Sequence, residues 1–260
     1  MLMIEIHHLS FSYRNTLPLV LNQLNATLDR GKLYVLLGLN GSGKTTLIKL
    51  LAGLHEPTKG EIRYEGEPLT KISIHERSKR IAYVAQYSNK ADDFRVLDYL
   101  LFGTANQTRF YEKPSPETER QVCALAEHLN ASHLLNKKLG EISGGERQIV
   151  SILAAMAQNT QVLLLDEPTS ALDICNQYKV LSALKELTEK DGKTVVLSTH
   201  NPNHALYLNA DVLLLHEGQI ADAGKAKEIM TPERLKYVYG EQICYSNSLP
   251  YREISFANKV

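Results

Sequence analysis

The sequence predicts an α/β fold with a largely parallel sheet and a helical insert. Two observations lead to this prediction. Apolar residues between Val96 and Ala157 recur at helical spacing, with almost no strand-like run. Elsewhere, short runs that are apolar on both faces are typical of buried parallel strands. These runs are Leu33 to Leu37, Val162 to Leu165, Thr194 to Leu197 and Val212 to Leu215.

The composition is that of an ordinary globular protein. The 260 residues are 43% hydrophobic and 22% charged, enough for one large or two small domains. Lys plus Arg and Asp plus Glu both total 29, and this balance counts against a nucleic-acid partner. Three widely spaced cysteines without a CxxC pattern indicate reduced thiols in a cytosolic protein, and we expect them to be small core residues.

The chain shows no export signal. Met1 to Ile6 carries an acidic residue where a signal peptide needs basic residues and then an apolar run. The apolar runs are much shorter than the roughly 20 residues that span a bilayer. Any role at a membrane is therefore expected to be that of a peripheral subunit.

The first elements alternate between strands and a helix. Ile4 to Ile6 and Leu33 to Leu37 are predicted strands. A glycine-rich turn follows the second strand and leads into Thr46 to Ala52, whose apolar spacing fits a helix. Pro57 ends this unit, and Glu61 to Tyr64 returns as another strand.

Three later helices have recognisable ends. Ser115 to Glu117 places a capping hydroxyl, a proline and an acid at a helix start. Val180 to Leu187 has apolar residues on one face of a helix that Gly192 can terminate. Thr231 to Glu233 opens a last short helix, which Gly240 closes.

The glycine-rich turn matches the phosphate-binding P-loop pattern, in which backbone N–H groups surround an anion at a helix N-terminus. A helix terminus alone contributes only about 0.3–1 kcal/mol per favourable charge, so a cation and a metal are also needed. Lys44 supplies the cation for the β- and γ-phosphates, and the Thr45 hydroxyl is placed for Mg²⁺. The predicted nucleotide contacts of this segment are Gly38, Asn40, Gly41, Ser42, Gly43, Lys44, Thr45 and Thr46.

Two carboxylates follow the predicted strand Val162 to Leu165. Ligands of open α/β sheets bind at the carboxyl edge of such strands. Asp166 is therefore predicted to be the second-sphere partner of Mg²⁺, and Glu167 is the candidate general base for the attacking water. Without a P-loop, the same residues would more often be a helix cap.

A narrower identity comes from Ile142 to Gln148, which resembles the signature motif of ABC ATPases. Gln86 resembles the glutamine of the Q-loop, Ser170 to Asp173 resembles the D-loop, and His200 resembles the switch histidine. Tyr13 resembles the aromatic residue that stacks on adenine. With the P-loop, these motifs occur in the family's order over nearly the whole chain.

The resemblance implies one ABC ATPase domain over residues 1–260. Within it, residues 1–87 and 159–225 would form a RecA-like P-loop NTPase core with an antiparallel β subdomain. Residues 88–158 would form a helical subdomain with the signature motif, and residues 226–260 a C-terminal extension.

The resemblance also implies a head-to-tail dimer. Ser143, Gly144 and Gly145 begin a helix with small residues and free N–H groups, which is the anion-binding arrangement again. In the family, two ATP molecules lie between the P-loop of one copy and the signature of the other. Asp173 is then also a predicted nucleotide-site residue.

The remaining predicted roles follow from the resemblance. Gln86 would sense Mg²⁺ and the γ-phosphate and link the helical subdomain to a membrane subunit, and His200 would hold the γ-phosphate. The predicted catalytic residues are Glu167, His200 and Gln86, and the predicted Mg²⁺ residues are Thr45, Gln86 and Asp166. ATP and Mg²⁺ are the expected cofactors.

The chain departs from the family pattern at two positions. Ile142 stands where leucine is usual and Glu146 where glutamine is usual, and both changes are mild for phosphate contact. Phe11 and Tyr34 are aromatic residues close enough in sequence to be confused with Tyr13.

A single cassette without a fused membrane segment favours a subunit of a multi-protein importer on the inner face of the cell membrane. Val96 to Gly103, Ser198 to Asn203 and Leu235 to Gly240 look like segments of the iron-chelate, haem, cobalamin and molybdate importer ATPases. The expected partners are a second copy, membrane permease subunits and, indirectly, a substrate-binding protein. The alternatives are another importer or exporter class, or a soluble ABC ATPase that acts on DNA or ribosomes.

Overall fold

The computed structural model describes residues 2–14, 17–86, 92–107, 114–246 and 253–256. The helices are α1 (Lys44–Leu51), α2 (Ile74–Arg80), α3 (Val96–Gly103), α4 (Pro116–His128), α5 (Gly144–Ala157), α6 (Ile174–Glu189), α7 (Pro202–Leu208), α8 (Ala226–Ile229) and α9 (Pro232–Tyr239). The strands are β1 (Leu2–Phe11), β2 (Leu21–Asp29), β3 (Leu33–Leu37), β4 (Lys59–Tyr64), β5 (Glu67–Pro68), β6 (Ile81–Val84), β7 (Val162–Leu165), β8 (Thr194–Thr199), β9 (Asp211–His216), β10 (Gln219–Lys225), β11 (Ile243–Ser246) and β12 (Glu253–Phe256).

The chain divides into two compact units. The first consists of Met1–Lys71 and Val196–Val260, and the second is Ile72–Val195. Strand β8 begins in the second unit and ends in the first.

An antiparallel sheet in the first unit has the strand order β2-β1-β4-β5. Ile4 lies opposite Tyr64 and Ile6 lies opposite Ile62, and all four side chains are buried. Tyr64 is fully enclosed, so its hydroxyl hydrogen-bonds to the backbone carbonyl of Leu51 at the end of α1. Because a buried hydroxyl needs a partner, this bond ties the antiparallel sheet to the helix of the glycine-rich turn.

The first unit also contains parallel pairing. Strand β3 pairs in parallel with β9, and β9 pairs antiparallel with β10. All five residues of β3 are buried, as expected for a strand that is covered on both faces. This burial fixes the end of β3, from which the glycine-rich turn starts.

The second unit combines a parallel strand pair with helices. Strands β6 and β7 are parallel, with Ile81 opposite Val162 and Val84 opposite Leu165. Helix α5 packs against α3 and α4 and contacts β6, so most of its residues are buried. Ser115 caps α4 by accepting a hydrogen bond from the Thr118 N–H, as predicted.

These observations confirm the predicted α/β class with its antiparallel sheet and helical segment. All four predicted apolar strands are present. The three cysteines are free thiols as expected, and the expectation that they are core residues is wrong. Cys175 and Cys244 are exposed and Cys123 is half-buried.

The predicted subdomain ranges stay a prediction, and their boundary between residues 87 and 88 lies outside the described residues. Within the part of the chain that is described, no helix combines the length and apolar character needed to cross a membrane.

Candidate active site

The glycine-rich turn connects the buried strand β3 to α1 in the first unit. Gly43 is the N-cap of α1 and has φ +102°, a conformation that favours glycine. A Cβ atom at this position would lie 2.5 Å from Cδ2 of Leu21. A Cβ atom at Gly38 would lie 2.3 Å from the carbonyl oxygen of Leu215. Both glycines are therefore required by the path of the turn.

Lys44 and Ser42 give the turn its polar interior. The Lys44 side chain is buried, and its Nζ donates to the carbonyl oxygens of Gly38 at 2.8 Å and Leu39 at 2.9 Å. The Ser42 hydroxyl is also buried and has no hydrogen-bond partner among the described residues. An unpaired buried hydroxyl costs about 1–3 kcal/mol, and a phosphate oxygen would satisfy it. The turn thus fits a polyphosphate.

Tyr13 lies beside the P-loop helix. Its hydroxyl hydrogen-bonds to Oγ1 of Thr46 at 3.1 Å, and its ring meets those of Phe11 and His55 edge-on at 5.0 and 5.5 Å. Tyr13 is 49% exposed, whereas Phe11 and Tyr34 are each 5% exposed. Of the three aromatic residues considered from the sequence, Tyr13 therefore offers an accessible ring.

The predicted carboxylates lie in the second unit at the end of β7. Asp166 is 1% exposed, and its N–H donates to the carbonyl oxygen of Val84. Glu167 is 8% exposed and has φ +47°, which is uncommon for a residue other than glycine. Its carbonyl oxygen accepts from the N–H and the hydroxyl of Ser170. Backbone strain of this kind clusters at functional sites.

The signature serine begins α5. The Ser143 hydroxyl accepts from the Glu146 N–H, and Glu146 Oε2 accepts from the Ser143 N–H at 2.8 Å. This is a capping box, in which two unpaired donors of the helix start are satisfied reciprocally. The Ser143 N–H is therefore not free, contrary to the expectation from the sequence, because the carboxylate at position 146 holds it and fixes the backbone of the serine.

The capping box predicts a measurable stability effect. Glu146→Ala should lower the free energy of unfolding by about 0.5–1.5 kcal/mol in urea at pH 7. Glu146→Gln, which keeps an acceptor oxygen, should lose less. The bond from the Ser143 N–H lowers the pKa of Glu146, so the deficit of the alanine variant should shrink as the pH falls below the ordinary glutamate range. A deficit that is the same at pH 7 and pH 3 would contradict this assignment.

The signature and the D-loop lie against each other in the second unit. A Cβ atom at Gly145 would lie 3.0 Å from the carbonyl oxygen of Ala171, so the small residue permits this approach. Asp173 is exposed and caps α6, with Oδ1 accepting from the Asn176 N–H and Oδ2 from the Asn176 side-chain amide.

His200 follows β8 and belongs to the first unit. Its side chain is exposed, and its carbonyl oxygen accepts a hydrogen bond from the Tyr239 hydroxyl at 3.3 Å. Gln86 is half-buried and lies just after β6 in the second unit.

A buried histidine near His200 makes stability depend on pH. Burial, followed by the charge of His200, lowers the pKa of His204 to about 4, compared with 6.5 ordinarily. The unfolded chain thus binds more protons between these values, and stability should fall as the pH drops from 6.5 to 4. The loss attributable to His204 should be on the order of 3 kcal/mol. Urea unfolding of wild type and His204→Phe should diverge in this window, and parallel curves would contradict the assignment.

The predicted site residues are divided between the units. The first unit holds Tyr13, the P-loop residues and His200, and Tyr13 contacts Thr46 there. The second unit holds Gln86, the signature residues, Asp166, Glu167 and Asp173. Sequence reasoning missed the capping role of Glu146 and the bonds of His204. Only the first had a sequence signal, the spacing of Ser143 and Glu146.

Comparisons with known proteins identify the family. The model of the family described as ABC transporter matches residues 21–170, more than half of the chain. The molybdate import ATP-binding protein MolC of Haemophilus influenzae is 32% identical over 257 residues, covering 99% of this chain and 95% of MolC. The iron(3+)-hydroxamate import ATP-binding protein FhuC of Bacillus subtilis is 30% identical over 220 residues, covering 85% of this chain and 82% of FhuC.

Solved structures share the fold. A structure described as an inward-facing conformation of a metal-chelate type ABC transporter has a TM-score of 0.81 and 30% identity, covering 99% of this chain and 98% of its own. A dimeric ATP-binding cassette in a post-hydrolysis state with ADP and phosphate has a TM-score of 0.76 and 27% identity, covering 86% of this chain and 99% of its own. The chain belongs to the ABC transporter family and is an ATPase of that family.

Proposed function

We propose that this ATPase powers the import of a metal chelate or an oxyanion across a cell membrane. The observation that supports the ATP site best is the P-loop, with the buried Lys44 ammonium and a Ser42 hydroxyl that no group in the described ranges pairs with. A molybdate importer relative and a chain of a metal-chelate type ABC transporter each align with 99% of this chain, which favours import of a related cargo.

In the proposed reaction, Glu167 accepts a proton from water while the water oxygen attacks the γ-phosphorus. The bond from that phosphorus to the β–γ bridging oxygen breaks, which gives ADP and phosphate. Lys44 binds the β- and γ-phosphates, and His200 holds the γ-phosphate during the attack. Tyr13 presents its accessible ring to adenine.

A magnesium ion fits the proposed donor set. Thr45 and Gln86 offer hydroxyl and amide oxygens, which are hard ligands of the kind that Mg²⁺ prefers, and the Asp166 carboxylate would be the second-sphere partner of the ion. When bound, the ion neutralises charge on the phosphates. The residues of the chain then orient the phosphates and move the proton.

We further propose that two copies close head to tail around two ATP molecules. Ser143 and Gly144 are exposed at the start of α5, and a Cβ atom at Gly144 would meet nothing within 4 Å. This helix start can therefore accept a phosphate from a second molecule. The dimeric cassette with ADP and phosphate is consistent with this arrangement. Asp173 would lie near the closed nucleotide site through the D-loop.

We assign the permease contact to an aromatic pair in the second unit. Phe94 and Phe102 are 46% and 69% exposed, with their rings nearly perpendicular at 5.9 Å. Val96, Leu97 and Leu100 form the buried face of α3. The two exposed rings are therefore a separate apolar surface, which packing within the unit does not use. Binding of permease subunits there would hold the chain on the inner face of the membrane, and the substrate-binding protein would act through the permease.

The aromatic pair gives a test of coupling. Phe102→Ser should abolish most cargo uptake in cells while leaving the ATPase rate of the purified chain within about twofold, because the ring lies outside the proposed nucleotide site. Tyr237→Ser, at a side chain that is 68% exposed on α9, is the matched control. Normal uptake by the Phe102 variant would show that Phe94 and Phe102 do not form the permease contact.

Import itself is tested by uptake in cells whose own copy is replaced by the Glu167→Gln variant. Labelled molybdate, ferric hydroxamate, haem and cobalamin are supplied separately. Loss of uptake of one cargo supports the proposal. Increased retention of a cargo indicates export, and an ATPase rate stimulated by DNA or ribosomes indicates a function outside transport.

A further inference from the structure

A buried histidine connects the two residues that flank His200. His204 in α7 is 3% exposed. Its Nδ1 lies 3.2 Å from Oγ1 of Thr199, and its Nε2 lies 3.2 Å from Nδ2 of Asn201. One imidazole ring therefore bonds to the residue before His200 and to the residue after it.

The neighbouring bonds fix which nitrogen of His204 carries the proton. Asn201 Oδ1 accepts from the Asn203 N–H at 3.0 Å, which orients the amide with its nitrogen toward His204. An amide nitrogen only donates, so Nε2 of His204 accepts and Nδ1 carries the proton. That proton is donated to Oγ1 of Thr199, which also accepts from the Asn201 N–H at 3.1 Å. The lowered pKa of His204 is consistent with this neutral form.

These bonds close a small network between the two residues that flank the exposed His200. Thr199 and Asn201 are connected directly by the Asn201 N–H, and they are connected again through the His204 ring. The carbonyl of His200 is held from another direction by the Tyr239 hydroxyl. The backbone at His200 is thus held by the bonded network of its two neighbours and, at its carbonyl oxygen, by the Tyr239 hydroxyl.

We propose that His204 is a positioning residue, which holds Thr199 and Asn201 so that His200 is presented to the γ-phosphate in one orientation. The inference rests on the proposed role of His200. Displacing a catalytic contact by about 1 Å can cost on the order of 10²-fold in rate, so a fixed backbone at this point has a large effect on turnover. A contact made during the attack should affect kcat more than the KM for ATP.

The test compares steady-state ATP hydrolysis by the full-length chain and its variants. His204→Phe keeps a ring in the buried space and removes both hydrogen bonds. We expect kcat to fall about 10- to 100-fold with the KM for ATP within about threefold. His204→Gln, which can restore an acceptor toward Asn201, should recover part of kcat. Leu208→Ala, at a buried position of the same helix, is the control that lowers Tm without removing these bonds.

A double-mutant cycle separates positioning from a general structural effect. In a His200→Ala background, His204→Phe should change kcat by less than about twofold, because its effect is transmitted through His200. An equal loss of kcat in both backgrounds overturns the inference, as does an unchanged kcat in folded His204→Phe. If His204→Phe does not fold, Thr199→Val removes the partner of Nδ1, and it should lower kcat in the wild-type background only.

The cycle also distinguishes failure of this inference from failure of the proposed function. If His200→Ala alone leaves kcat unchanged, the proposed catalytic role of His200 is wrong, and so is the positioning role of His204 that rests on it. If His200→Ala lowers kcat and His204→Phe does not, the proposed function stands and only the positioning role of His204 is overturned.

Discussion

Replacing Glu167 with glutamine should lower the turnover number of ATP hydrolysis by about 10² to 10⁴, the usual contribution of a positioned general base. The amide cannot accept the proton of the attacking water, although it occupies nearly the same volume in this buried position. ATP binding should persist, and the dimer should remain closed because hydrolysis no longer opens it. Phosphate release and ATP affinity measured on the same preparation check both expectations.

Glu189→Gln is the matched control for Glu167→Gln, because it neutralises an exposed carboxylate on α6. It should leave turnover within about twofold of wild type. Hydrolysis near the wild-type rate by the Glu167 variant would remove this residue from its assigned role. A simultaneous loss of ATP affinity would indicate a binding role instead.

Replacing Lys44 with alanine should weaken ATP binding itself. Hydrogen bonds to charged groups contribute about 1.5–3 kcal/mol, so the loss of the ammonium should raise the Kd for ATP by roughly 10- to 100-fold. In the free protein this ammonium is already buried over the loop carbonyls of Gly38 and Leu39, so little reordering precedes binding. Calorimetric titration with ATP at constant salt measures the change.

Lys49→Ala is the control for the Lys44 variant, since it removes a cation from the last turn of the same helix. Its Kd for ATP should stay within about twofold of wild type, because the P-loop is at the opposite end of α1. If both variants weakened ATP binding equally, Lys44 would contribute only nonspecific positive charge.

The elements that could be predicted from the sequence are those whose structure depends mainly on their own residues. The buried run Leu33 to Leu37 is apolar at every position, and the glycines that follow can be recognised without knowing what they contact. Strand β2 was missed because its pairing with β1 is irregular and Gln23 has φ +51°, which breaks the two-residue alternation of buried side chains. Helix α2 buries none of its residues, so it has no apolar face to detect.

Roles that depend on distant contacts could not be predicted. The sequence left Tyr13, Phe11 and Tyr34 open as candidates for the adenine contact, and only burial separates them. The hydrogen bonds of His204 could not be predicted because they depend on the orientation of neighbouring side chains. The exposure of Cys175 could not be predicted, because the number and spacing of the cysteines do not determine which of them lies in the core.

ATP-dependent dimerisation in the Glu167→Gln background tests the central claim, a site shared between the P-loop of one copy and the signature of another. We expect Glu167→Gln to form a dimer when ATP is added. Adding Ser143→Arg should abolish the dimer while leaving the Kd of the monomer for ATP unchanged within about threefold, because Ser143 acts on the nucleotide of the other copy. Sedimentation with and without ATP measures dimer formation, and equal dimerisation of Glu167→Gln and of the double variant with Ser143→Arg would contradict a shared site. Loss of ATP binding by the monomer on adding Ser143→Arg would contradict it as well.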